Sequence, residues 1–318
     1  MKKIVVLESL AIPEEELREI AKPITDQGHE LVLYEKTDDV EVLKERVKDA
    51  DILVIGNMPL PGEVIRAAEK LEYIAVAFTG VDHVDLEACK EKNIKVSNAS
   101  GYATINVAEL AIGLMITLLR HIVPLDKITR EGGTMAGYQG RDLRGKTVGV
   151  VGAGAIGRET AKLLLALGCN VIAYDVVEND ELKKLGVKYM PLDDLLKESD
   201  IVTIHVPLLD STRGLINKER LELMKESAIL INCARGPIVD NEALAEALKE
   251  GKIAGAGIDV FDMEPPLPLD YPLLHAPNCV VTPHIGFATK EAMVRRAHIT
   301  FDDNIANWLK GNQKNVIL

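Results

Sequence analysis

The residues with the clearest chemical meaning lie in the middle of the chain. Val148 to Gly157 reads Val-Gly-Val-Val-Gly-Ala-Gly-Ala-Ile-Gly, a β-branched strand running into GxGxxG and then into a helix over Arg158–Leu167. In this pattern Gly152 permits a tight turn, Gly154 lets the backbone approach a pyrophosphate, and Gly157 lets the helix pack on the strand. The helix start then offers free N–H groups to phosphates. A second strand, Val171–Tyr174, ends in Asp175, eighteen residues beyond Gly157. An acidic residue there is placed to bind a ribose 2′-hydroxyl. Val176, Val177 and Glu178 supply no cation for a 2′-phosphate, so the pattern favours NAD over NADP.

Three further segments each follow an expected strand. They are Ile231-Asn232-Cys233-Ala234-Arg235-Gly236, Gly257-Ile258-Asp259 through Glu264-Pro265, and Val281-Thr282-Pro283-His284-Ile285-Gly286. In a doubly wound sheet the C-terminal ends of the strands face the ligand crevice. Arg235, Asp259, Glu264 and His284 are therefore expected to converge beside the nicotinamide.

The elements that must position these residues alternate from end to end. Ile4–Leu7, Glu30–Leu33, Ile52–Ile55 and Tyr73–Phe78 read as strands, with helical spacing in Glu14–Ala21, Val40–Lys48 and Gly62–Lys70 between them. A second series runs through Thr147–Val151, Asn170–Tyr174, Ile201–His205, Ala228–Ile231, Ala254–Ile258 and Val280–Thr282. Strands separated by helices imply βαβ units and parallel sheets, and two series imply two α/β domains. Between them Ile105–Leu119 reads as a long apolar helix with Thr104 as its N-cap. Lys290–Leu309 reads as another long helix, too late for the second sheet and able to return the chain to the first domain. The expected division is 1–101 with 285–318, and 102–284, crossed twice through two long helices in a way that suits hinge closure.

The chain resembles the D-isomer-specific 2-hydroxyacid dehydrogenases over nearly its whole length. The resemblance is carried by Thr104-Ile105-Asn106-Val107-Ala108-Glu109, the glycine motif, Asn232-Cys233-Ala234-Arg235-Gly236, Asp259-Val260-Phe261 through Glu264-Pro265, and Thr282-Pro283-His284-Ile285-Gly286. It implies a flavodoxin-like substrate domain, a Rossmann NAD-binding domain, and hydride transfer between NADH and C2 of a 2-keto acid. By resemblance His284 is the acid/base, a role for which imidazole as a side-chain type is suited, since an unperturbed histidine titrates near 6.5. Glu264 partners its imidazole, favouring the protonated form and fixing its orientation. Arg235 grips the substrate carboxylate and carbonyl through its guanidinium fork, and Asp259 bonds the nicotinamide carboxamide. Thr79 and Gly80 match backbone donors to the substrate carboxylate. Thr104, Ala155, Ile156, His205, Val206, Pro207, Cys233, Ala234, Arg235, His284 and Gly286 complete the cofactor positions. His205 is read as scaffold of the adenosine pocket.

Three positions depart from the family pattern. Phe78 and Phe287 stand where small residues are usual and narrow the substrate pocket, and Ala155 replaces a polar residue whose backbone contact survives. The loop Asp51–Glu63 contains no Lys or Arg to anchor a substrate phosphate. A small unphosphorylated acid such as hydroxypyruvate, glyoxylate or pyruvate is therefore expected. Phosphoglycerate dehydrogenase is the alternative within the family, and a non-catalytic NAD-sensing protein on the same scaffold is the alternative outside it. Formate dehydrogenase carries Gln at the place of Glu264, which argues against that class; phosphite-type dehydrogenases keep the trio.

Composition limits the partners. The 318 residues carry 37 basic and 49 acidic side chains, a net charge of −12, and aromatics make up only 4%. No basic run stands out, so nucleic acid and anionic membranes are poor partners. Cys89, Cys169, Cys233 and Cys279 show no CxxC spacing, which indicates neither a metal site nor a redox dithiol and fits reduced thiols in the cytoplasm. Glu8 interrupts the N-terminal apolar stretch too early for a signal peptide, and Leu110–Leu119 is shorter than the roughly 20 residues of a membrane span. A soluble, cytoplasmic homodimer is expected, the dimer by family resemblance through Gly101–Gly145.

Overall fold

Short runs of Val, Ile and Leu, buried on both faces, become the strands, as parallel sheets covered by helices require. The computed structural model describes all residues from Met1 to Leu318. The chain divides into two units, Met1–Ala103 with Ala288–Leu318, and Thr104–Phe287.

The first unit holds β1 (Lys3–Val6), β2 (Glu30–Leu33), β3 (Ile52–Ile55), β4 (Tyr73–Val76) and β5 (Lys95–Asn98). All pair in parallel in the order β2-β1-β3-β4-β5, the flavodoxin-like winding. Helix Glu14–Thr25 shows why such segments fold locally: Glu14, Glu15 and Glu16 complement the N-terminal dipole, while Leu17, Ile20, Ala21 and Ile24 form one buried stripe. Phe301 and Ile305 join this core, and Tyr73 stacks on Trp308 with ring centroids 4.8 Å apart.

Two features of this unit differ from the sequence reading. β5 was not anticipated, because Lys-Val-Ser-Asn carries no apolar run. It is held by β4 on one side and by the C-terminal segment on the other, where Ser97 pairs antiparallel with Val316 and its hydroxyl donates to the Lys314 carbonyl. Covering a sheet edge in this way blocks pairing with other chains. The helix expected over Lys290–Leu309 is interrupted: Lys290–His298 passes into a wide π-type turn at Ile299–Ile305 before Ala306–Leu309. Buried side chains compete for hydrogen bonds there. The Thr300 hydroxyl donates back to the Arg296 carbonyl at 2.8 Å, and the Asn304 amide donates to the Asn98 carbonyl at 2.8 Å. Such back-bonding loosens the regular ladder.

The second unit holds β6 (Thr147–Val151), β7 (Asn170–Tyr174), β8 (Lys188–Tyr189), β9 (Ile201–Ile204), β10 (Ile229–Asn232), β11 (Gly255–Ile258) and β12 (Cys279–Val281). The order β12-β11-β10-β9-β6-β7-β8 is parallel throughout. It is the Rossmann winding extended by one strand, with the direction of winding reversing between β6 and β9. Helix Thr104–Leu119 lies on this sheet, close enough that a Cβ at Gly257 would stand 3.0 Å from Leu114 Cβ. Thr104 is the first residue of that helix rather than its cap, because the chain enters through a turn over 100–103. No single helix is long and apolar enough to cross a membrane.

Candidate active site

The glycine turn joins β6 to helix Ala155–Ala166, and its three glycines answer to different demands. Gly152 has φ +96°, and a Cβ there would lie 2.7 Å from the backbone of both His205 and Val206. The turn thus packs directly on the chain leaving β9. A Cβ at Gly157 would lie 1.9 Å from the Gly152 carbonyl oxygen. At Gly154 a Cβ would meet nothing within 4 Å, and its backbone at φ −66° and ψ −162° suits any residue. Protein packing therefore demands Gly152 and Gly157, whereas the space beside Gly154 is a cradle open to a ligand. Ala155 is exposed and Ile156 half-buried beside it. Asp175 Oδ2 accepts the Ala153 N–H at 2.6 Å, and Oδ1 accepts the Val177 N–H at 3.3 Å. Val176 and Val177 are exposed beyond it. The open cradle and the acidic residue at the end of β7 fit NAD.

His205 begins the loop after β9, its N–H bonded to the Val151 carbonyl at 2.7 Å and its Nε2 2.9 Å from the Thr203 hydroxyl. Burial pushes the imidazole down to about 4, so it is neutral scaffold at neutral pH. Val206 and Pro207 follow, and the Thr212 hydroxyl donates to the Pro207 carbonyl at 2.6 Å.

The turn after β10 carries Cys233, Ala234 and Arg235. Fully buried Asn232 staples it: its amide donates to the Arg235 carbonyl at 3.0 Å, and its side-chain oxygen accepts the Ala234 N–H at 3.0 Å. A Cβ at Gly236 would fall 1.9 Å from the Phe261 carbonyl. The Arg235 turn and the segment after β11 are thus in backbone contact that only glycine permits.

Asp259, at the end of β11, is fully buried. Its Oδ1 accepts from the Thr282 hydroxyl at 2.5 Å and the Ile285 N–H at 2.8 Å; its Oδ2 accepts from the Gly286 N–H at 2.8 Å. Burial pushes its carboxyl above the usual range, and these bonds pull it back. The Asp259 carbonyl also accepts the His284 N–H at 2.8 Å. His284 itself sits at φ +57°, in the left-handed region, a conformation costly for a non-glycine residue unless its surroundings enforce it. The Asn106 amide completes the grip by donating to the Gly286 carbonyl at 2.6 Å.

His284 Nδ1 lies 3.0 and 2.9 Å from the two Glu264 oxygens. A carboxylate only accepts, so Nδ1 carries a hydrogen. The imidazole side chain is 12% exposed, and Phe287 packs edge to face against it at 5.3 Å. Within the second unit the structure places Arg235, Asp259, Glu264 and His284 on the loops after the adjacent strands β10, β11 and β12, and brings Asp259 and Glu264 onto His284. Asn232, Thr282 and Asn106 were not assigned a role from sequence. Their only signal was a polar residue at a strand end or helix start in an otherwise apolar run.

In the first unit Thr79 is exposed after β4, its carbonyl accepting the Asn98 amide at 2.7 Å, with Gly80 half-buried beside it. Phe78 is buried, its ring edge-on to His83 at 6.2 Å. All four thiols are pushed up by burial: Cys89 to about 11, Cys279 to about 12, and Cys169 and Cys233 also above their ordinary range.

The windings of the two sheets and the glycine turn define an NAD-dependent oxidoreductase of two α/β domains. The family model "D-isomer specific 2-hydroxyacid dehydrogenase, NAD binding domain" matches residues 112–286. A hydroxypyruvate reductase of Blautia hydrogenotrophica is 37% identical over 91% of this chain and 92% of its own. A D-3-phosphoglycerate dehydrogenase of Archaeoglobus fulgidus is 41% identical over 92% of this chain but only 57% of its own. The structure of D-lactate dehydrogenase from Aquifex aeolicus, complexed with NAD and lactic acid, superposes with a TM-score of 0.85 at 31% identity, covering 98% of this chain and 96% of that one. The chain belongs to the D-isomer-specific 2-hydroxyacid dehydrogenases.

Two outcomes follow from this geometry. Gly154→Ala folds with an unchanged melting temperature but binds NADH at least about tenfold more weakly, since the new Cβ stands where a pyrophosphate must approach. Gly157→Ala forces helix from strand and lowers the melting temperature sharply; calorimetry and NADH fluorescence titration separate the two. His205 titrates near 4 in the folded chain and near 6.5 unfolded. Between those values the unfolded chain binds more protons, so the stability His205 contributes above pH 6.5 is lost as pH falls toward 4. Denaturant titrations across that window should show a shallower pH dependence for His205→Gln, by up to about one proton.

Proposed function

We propose that this dehydrogenase works mainly as a reductase of small, unphosphorylated 2-keto acids such as hydroxypyruvate or glyoxylate, giving the D-2-hydroxy acid. The observation that carries the reading is the His284–Glu264 pair: both carboxylate oxygens lie on Nδ1, at 3.0 and 2.9 Å, which fixes the imidazole through that nitrogen. When bound, the nicotinamide supplies hydride to C2 of the keto acid. His284 Nε2 gives its proton to the carbonyl oxygen as negative charge develops there, and Glu264 compensates the imidazolium's charge beforehand. Arg235 binds the carboxylate and carbonyl through two parallel N–H bonds, and the Thr79 and Gly80 N–H groups receive the carboxylate. Asp259 retains one lone pair on Oδ2 for the nicotinamide carboxamide. Thr104, Ala155, Ile156, Val206, Pro207, Cys233, Ala234 and Gly286 complete the cofactor contacts.

Phe78 and Phe287 favour a small substrate, and the absence of Lys or Arg over Asp51–Glu63 disfavours a phosphate. Phosphoglycerate oxidation remains the second reading because of the 41% identity to the Archaeoglobus enzyme. Four cysteines that form no disulfide support a cytoplasmic setting. A homodimer is supported by the apolar surface of Thr104–Leu119 and Ile122–Arg130: Ile105, Ile116, Ile122 and Val123 are exposed, and no residue of Ile122–Arg130 is buried.

NADH oxidation should be rapid with hydroxypyruvate or glyoxylate and slow with phosphohydroxypyruvate. His284→Ala should lower kcat by about 10²–10⁴, and Arg235→Ala should raise KM and lower kcat together. Equal or faster turnover of phosphohydroxypyruvate would move the assignment to the second reading, and NADH binding without turnover of any acid would indicate a sensor. Light scattering should give about twice the 34.7 kDa chain mass; a monomer mass removes the dimer.

A further inference from the structure

Glu264 is carried on an irregular segment of the chain. From Val260 to Tyr271 the chain forms neither helix nor strand, and Pro265, Pro266 and Pro268 contribute no N–H donors. The Glu264 side chain is 67% exposed. Yet both of its oxygens lie on His284 Nδ1.

The segment is closed by a side chain two residues earlier. Asp262 Oδ1 accepts from the Tyr271 phenol at 2.8 Å and from the Asn241 amide. Asp262 and Tyr271 are the two ends of the stretch that carries Glu264. Each partner is anchored in the body of the domain. Asn241 is buried at the first position of helix Asn241–Lys249, whose start is capped by Asp240 accepting the Ala243 N–H at 3.0 Å. Tyr271 is buried with its ring edge-on to Phe261, centroids 5.6 Å apart. The backbone at Phe261–Asp262 is pressed onto Gly236.

We propose that Asp262 is a positioning residue for the reaction. Clipped to Tyr271 across the loop and to Asn241 on the domain body, it closes the segment 262–271 and presents Glu264 to His284. The inference rests on the reading of His284 as proton donor. A carboxylate suits the place because both partners are donors, and one oxygen accepts from each.

The test uses the full-length protein with three substitutions, Tyr271→Phe, Asp262→Ala and Asp262→Asn. The readouts are nitrogen-15 NMR of the His284 ring above its titration, where the neutral tautomer is seen directly, and kcat and KM for keto-acid reduction. In the wild type the hydrogen sits on Nδ1. Tyr271→Phe, which removes one hydroxyl, and Asp262→Ala should both give mixed tautomers and lower kcat by about tenfold or more, with KM changed less. Asp262→Asn keeps the acceptor oxygen and should restore the Nδ1 tautomer and most of kcat. NADH binding by each variant confirms that it is folded. A wild-type tautomer and kcat in Tyr271→Phe and Asp262→Ala would overturn the proposal, as would Asp262→Asn behaving like Asp262→Ala, which would trace the effect to charge. Should the wild type turn over no keto acid, the proposed function fails while the tautomer result still decides whether Asp262 places Glu264.

Discussion

A carboxylate removed from water must be met by donors, or the fold loses several kcal/mol. Asp259 is met by three, and all three belong to the five-residue stretch that carries His284. The desolvation of one side chain at the end of β11 is thus answered by shaping the neighbouring loop. That shape places His284 in the left-handed region, a conformation the loop would not adopt unaided. Asn106 holds the carbonyl of Gly286, the next peptide along, so the loop is pinned through its backbone on both sides of that residue. Charge burial and the placement of His284 are here a single requirement.

A second constraint works through missing atoms. Gly236 brings the Arg235 turn against the chain leaving β11, and Gly157 brings its helix against the Gly152 carbonyl. Neither glycine is needed for an unusual dihedral; each is needed because backbone lies where a Cβ would stand. The turn bearing Arg235 and the start of the segment that leads to Glu264 are therefore packed backbone to backbone at adjacent strand ends. The open space beside Gly154 contrasts with them, because what limits it lies outside the chain.

Most of this architecture was legible in the residues. Continuous apolar runs such as Ile52–Ile55 can be buried only on both faces, and the glycine spacing and the three polar strand ends follow from local chemistry. What escaped was set by distant partners. β5 has a polar sequence and depends on the C-terminal segment for its pairing, and β8 spans only Lys188–Tyr189. The π-type turn at Ile299–Ile305 contains Asn304, whose amide reaches the Asn98 carbonyl far away in the chain. Asp259 was assigned by resemblance to the nicotinamide, and its grip on Thr282, Ile285 and Gly286 was invisible until β11 and β12 were paired. Asn232, by contrast, acts within three residues of itself, and its fit to a tight turn was readable in principle.

The thiols carry one more consequence. The thiolate is the form that peroxides and alkylating agents attack, and burial holds all four cysteines far from ionising at neutral pH. Cys233 lies two residues from Arg235, where a sulfenic acid or an adduct would distort the turn that aims the guanidinium. Burial thus makes Cys233 a poor target for such reagents, beside the turn that carries Arg235.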